Sequence, residues 1–157
     1  MPRALAILAA LIFASAALAR GPAPLPGADG RVSLGAFVEV LEDPSGSLRL
    51  SDVRQPEHAQ RFAPAGSDPL NFGYSRSAWW LRFSLPGGAP AGEELILEIA
   101  FPSIDRIELH LPDPAVEGAP RYWTRVAGDA FVWEAREVKH RNHVFRFAAP
   151  EQPGEHQ

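Results

Sequence analysis

Three short segments between residues 79 and 111 alternate apolar and polar residues, and this period of two limits the fold more than any other feature of the chain. Successive side chains on a strand point to opposite faces, so such a segment needs one face buried. In 79–85, Trp79, Leu81, Phe83 and Leu85 share one face, and Trp80, Arg82 and Ser84 the other. In 94–101, Leu95, Leu97, Ile99 and Phe101 oppose Glu94, Ile96, Glu98 and Ala100. In 106–111, Ile107, Leu109 and Leu111 oppose Arg106, Glu108 and His110. "PGGAPAG" separates the first two segments and "PS" the last two. The pattern predicts an all-β domain. It makes Trp79 a core residue by its company, while Trp80, beside Arg82, is exposed, covered by a loop, or part of a binding surface.

The rest of the chain fits that class. Residues 34–42 read as a first strand stopped by the turn "DPSG", with "SLRL" as its hairpin partner. In "SDVRQPEHAQRF", Pro56 suits the first position of one short helix, with Val53, Ala59 and Phe62 facing inward. Residues 63–77 form a long loop carrying Phe72 and Tyr74. "RYWTRVAGD" predicts a strand broken at Gly128, and "HVFRFAA" a strand with Phe145 and Phe147 inward. Sixteen prolines and 13 glycines beside 46% hydrophobic residues mean short elements and many turns, which favours a β-sandwich over a helical bundle.

The first 19 residues have the order of a cleavable signal peptide: Arg3, an apolar run from Ala4 to Phe13, then small residues ending in Ala17-Leu18-Ala19. The run is short for a membrane span of about 20 residues, and Arg20 closes it. Residues 20–33 then read as a flexible leader and 150–157 as a polar tail. Removing 19 residues from 157 leaves 138, enough for a core without disulfides. The absence of cysteine excludes thiolate zinc sites, cysteine nucleophiles and thiol redox chemistry. A net charge of −4 and no basic run argue against a nucleic-acid partner.

The polar faces of the three alternating strands hold Trp80, Arg82, Glu98, Arg106, Glu108 and His110. A flat ring beside charged hydrogen-bonding groups is what a sugar site uses. The same residues equally make a solvated face with cross-strand ion pairs and a capped tryptophan. Trp80, Arg82, Glu108 and His110 are the first candidates for ligand contact, with Tyr74 at their margin. Phe72 and Tyr74 serve equally well as a plug for the core. His140 and His143, three apart, fall on opposite faces of a strand, and no carboxylate completes a metal set, so no metal or cofactor is expected. Glu98 and Glu108 could form a glycosidase-like pair, but nothing singles them out, and no catalytic residue is assigned.

Four blocks in order, "VLEDPSGSLRLSDV", "FGYSRSAWWLRFSL", "FPSIDRIELHLPD" and "GDAFVWEAREVKHRNHVFRF", resemble the type 2 extracellular sensor domain of bacterial seven-transmembrane receptors with diverse intracellular signalling modules (7TM-DISM). The resemblance spans about Phe37 to Phe147. "WWLRF" is also loosely similar to the "WYR" strand of galactose-binding jelly rolls. The resemblance implies a jelly-roll, galactose-binding-like β-sandwich over 34–149, placed periplasmically ahead of membrane helices that drive a histidine kinase or diguanylate cyclase. Its function would be reception of a small-molecule or glycan ligand, with a homodimer among the partners. A secreted carbohydrate-binding or adhesion module is the alternative. The shared positions Asp43, Gly46, Gly73, Trp80, Leu81, Arg82, Asp105, Gly128 and Asp129 read at least as well as fold determinants. Family members continue past "HVFRF" with further strands, so a piece ending in "AAPEQPGEHQ" is expected to lack its closing strand and to be marginally stable.

Overall fold

The computed structural model describes residues 21–26, 30–90, 92–113 and 121–150. The signal peptide expected at 1–19 and most of the polar tail lie outside the described residues. The elements are β1 (Glu39–Asp43), α1 (Leu50–Val53), α2 (Pro56–Ala59), β2 (Ala63–Pro64), β3 (Ala78–Arg82), β4 (Glu94–Ile99), β5 (Ile107–Pro112), β6 (Tyr122–Ala127) and β7 (His143–Ala148). A 3-10 turn, Trp133–Ala135, lies between β6 and β7. Strands dominate and the helices are single turns. The strands form three antiparallel ladders, ordered β2-β1-β3, β4-β7 and β5-β6.

The turn after β1 is built by one carboxylate. Asp43, 3% exposed, accepts the Ser45 hydroxyl at 2.6 Å and the Leu48 amide at 2.9 Å, while its own carbonyl takes the Gly46 amide. Gly46 adopts φ +62°, which favours glycine. The chain then enters α1 rather than the hairpin strand expected of "SLRL". Asp52, in the first turn of α1, accepts the Arg49 amide at 2.8 Å and so fixes a helix start. Pro56 opens α2 at the position its missing N–H allows.

Which tryptophan faces inward is decided by the register of β1 on β3. Glu39, Leu41 and Asp43 stand opposite Arg82, Trp80 and Ala78. The buried face of β1 therefore carries Trp80, which packs against the cluster of Leu41, Val53 and Phe62. This corrects the assignment of the core face to Trp79 and Leu81. Leu81 is exposed, and Trp79 is covered by the long loop, stacking on Phe72 with centroids 4.3 Å apart. Alternation defines two faces but not their destination.

A second cluster joins Ala89, Leu95 and Ala149, with Leu25, Leu85 and Phe147 packed on it. Phe145, 2% exposed, is buried as its alternation implies. Part of the stretch expected to be a flexible leader is tied down here. Ala23 is fully buried, and its amide donates to the Ser84 carbonyl at 2.8 Å.

β6 ends just before Gly128, where φ is +142° and a Cβ would meet the Asp105 carbonyl oxygen at 2.1 Å. Only glycine fits so near the backbone. The next two amides, of Asp129 and Ala130, donate to the carbonyls of Ile104 and Asp105 and bind this corner to the start of β5.

Candidate functional site

β3 and β5 bring together two of the proposed contact residues. The rings of Trp80 and His110 stack, with centroids 5.8 Å apart and planes 15° apart. His110 Nδ1 lies 2.9 Å from the Thr124 hydroxyl, its cross-strand neighbour on β6. Its Nε2 is 3.6 Å from Glu108 Oε2, within ion-pair range but beyond a hydrogen bond. Glu108 also accepts from Arg106, with Oε1 2.7 Å from a guanidinium nitrogen. The result is an aromatic pair whose outer rim is charged.

The electrostatics of His110 follow from its position. Its side chain is only 15% exposed, and burial pushes its pKa below the ordinary 6.5, an effect that the charge of Glu108 opposes. The imidazole is therefore neutral at pH 7 and able to stack on the indole without the cost of a desolvated charge.

The other candidates separate from this group. Arg82 lies on the same face of β3 as Trp80 but turns to Glu39, donating from Nε to the carboxylate at 2.7 Å. It also donates to the Ala59 carbonyl at 3.0 Å and stacks over Phe62, 4.3 Å from the ring centre. Arg82 thus ties α2 to the sheet. Tyr74 is fully exposed in the long loop.

Glu98 and Glu108 sit on different ladders with different partners. Glu98 accepts from the Asn142 amide group, and Glu108 from Arg106. His140 Nδ1 accepts the Asn142 amide at 3.2 Å, whereas His143 is buried and bonded to the Pro102 carbonyl. Among the described residues no group of three or more acidic or histidine side chains is placed to hold a metal.

A separate recess lies between β6, β7 and the segment 128–138. Its walls include Gly128, Phe131, Arg136 and His143. Of these, the sequence marks Gly128 as a strand breaker, while His143, read there only against His140 as a metal pair, is buried. Arg136 carries no motif, because its role depends on how the 128–142 segment folds back on itself.

The model of the 7TMR-DISM extracellular 2 family matches residues 35–157, and the chain belongs to that family. It is an extracellular receptor-domain sequence. No curated protein and no solved structure matches it significantly. Among the described residues no helix is long and apolar enough to cross a membrane.

Proposed function

We propose that this domain is the periplasmic, ligand-receiving part of a bacterial transmembrane receptor, with a jelly-roll arrangement of its three ladders. The observation that carries the reading is the family match across residues 35–157. The ligand is carbohydrate, and the output is a cytoplasmic kinase or a cyclic-di-GMP enzyme. The domain has no chemistry of its own. Binding acts by favouring one of two conformations, or one pairing with a second copy, and the membrane helices pass that preference inward.

The first contact surface is the rim around the Trp80–His110 stack, formed by Glu108 and His110, while Arg82 is turned away to Glu39. Support comes from the flat aromatic pair beside exposed charged groups. Two tests separate the layers of this reading. If the gene continues past codon 157 into seven apolar stretches and a signalling module, the receptor stands. A stop codon there transfers the domain to the secreted-module reading. Glycan titration should weaken in Glu108→Gln, on an exposed side chain, and unchanged affinity would remove the rim from the site.

A further inference from the structure

The recess beside β7 has a volume of about 210 Å³. That is below the roughly 300–1,000 Å³ of pockets for drug-sized ligands, and equals the liquid volume of about seven waters. One sugar ring fits this scale and an oligosaccharide does not.

Two residues that line it, Arg136 and His143, each bury a polar atom without a partner. His143 is 1% exposed, and its Nε2 lies 3.1 Å from the Pro102 carbonyl oxygen. A carbonyl only accepts, so Nε2 carries the proton and Nδ1 keeps a lone pair. That Nδ1 is buried and unpartnered. Arg136 donates from Nη1 to the carbonyls of His140 and Arg141, at 2.8 and 3.3 Å, while its Nε is also buried and unpartnered. The neighbouring Arg125 is neutralised by Glu137 at 2.8 Å, whereas among the described residues no carboxylate pairs with Arg136. Leaving such atoms unsatisfied is costly, so two of them on one recess call for a ligand. One is a cationic donor and the other a neutral acceptor.

We infer that this recess is a binding site for a small hydroxycarboxylate the size of a single sugar acid, with its carboxylate on Arg136 and a hydroxyl donated to His143 Nδ1. Both atoms are closed to water-sized contact in this structure. Uptake therefore moves the 128–138 segment outward. That segment carries the exposed Val132 and Trp133, so ligand entry changes a surface that a neighbouring molecule can read. The inference deepens the sensor reading, and its site is distinct from the Trp80–His110 rim.

The test uses the purified chain with D-glucuronate and D-glucose at millimolar concentrations, followed by calorimetry and tryptophan fluorescence. Glucuronate should bind, raise the melting temperature and change the Trp133 signal. Glucose, which lacks the carboxylate, should bind at least about tenfold more weakly. Arg136→Met should lose about tenfold or more in glucuronate affinity, and His143→Phe should do likewise where it folds. Glu57→Gln, on the exposed surface of α2, should leave binding intact. No glucuronate binding, or equal binding by Arg136→Met and the parent, overturns the inference. Loss in Glu108→Gln with retention in Arg136→Met also overturns it, while leaving the sensor reading standing. A stop codon at position 158 would instead end the receptor reading and leave the recess untouched.

Discussion

The two apolar clusters of this domain are built differently. The first, around Leu41, Val53 and Phe62, draws on residues 41 to 80 and is filled by large side chains. It is closed on one side by Arg82, which binds the nearly buried Glu39 and lies flat on Phe62. The second, around Ala89, Leu95 and Ala149, is made of smaller residues and needs Leu25 and Phe147 from far along the chain to complete it. Large, local side chains bury more area per ordered residue than alanines recruited from a distance. The first cluster should therefore hold most of the stability.

Phe62→Ala gives the largest expected effect, a loss of about 3–5 kcal/mol, against about 2–3 for Leu95→Ala. Against a typical stability of about 5–15 kcal/mol, the first loss is close to unfolding. Urea denaturation followed by circular dichroism measures both, and a larger loss for Leu95→Ala would reverse the ranking.

Next comes Arg82→Met, which keeps the contact with Phe62 but abandons the Glu39 carboxylate. Exposed pairs are worth about 0–1 kcal/mol, and breaking a buried one costs about 3–5. Glu39 is 8% exposed while Arg82 is half-buried, so an intermediate cost of about 2 kcal/mol is expected. The double variant with Glu39→Met should recover part of it. Failure to recover would mean that the loss comes from the bond to the Ala59 carbonyl rather than from the Glu39 pair.

Leu25→Ala sharpens the second half of the comparison. Leu25 is half-buried, so the loss should be about 1–2 kcal/mol, and proteolysis should open the N-terminal segment before the rest. Simultaneous cleavage throughout the chain would show that the two clusters unfold as one.

The smallest effect is a response to acid, and it belongs to the first cluster's side. The His110 pKa is lowered by burial, so the unfolded chain binds a proton first as pH falls below 6.5. Stability is full above that value and declines until the folded histidine also protonates. The Asp43 carboxyl is held below its ordinary 3.8, chiefly by the Ser45 hydroxyl, so a second decline begins near that pH and ends once the folded carboxyl protonates. Melting temperatures across this range should show both steps. His110→Gln should remove the first and Asp43→Asn the second.

Much of this fold was legible in the chain. The strands at 94–101, 106–111 and 143–149, the helix start at Pro56 and the break at Gly128 each follow from a local rule of period, proline geometry or glycine freedom. The inward face of β3 was not legible, because it depends on β1 pairing Leu41 with Trp80. Nor was the pairing of β4 with β7, whose register sets Glu98 against Val144 across the chain. The candidate rim was half legible. Glu108 and His110 share a face by alternation, but Arg82 leaves it because Glu39 and the Ala59 carbonyl compete for its guanidinium. Arg136 needed the folded segment before its unpartnered nitrogen could be seen.

The hydrogen bonds from Ala23 to Ser84, from Ala89 to Pro150 and from Ala149 to Glu93 gather the residue-23 and residue-150 ends of the described chain on one corner. In mechanical terms that corner is a clamp. A pull applied at Pro150 loads the ladder of β4 and β7 along its length, where the bonds resist together, and Leu25 and Phe147, packed on the same cluster, share the load. Small displacements at this corner are thus shared between the two ends of the described chain.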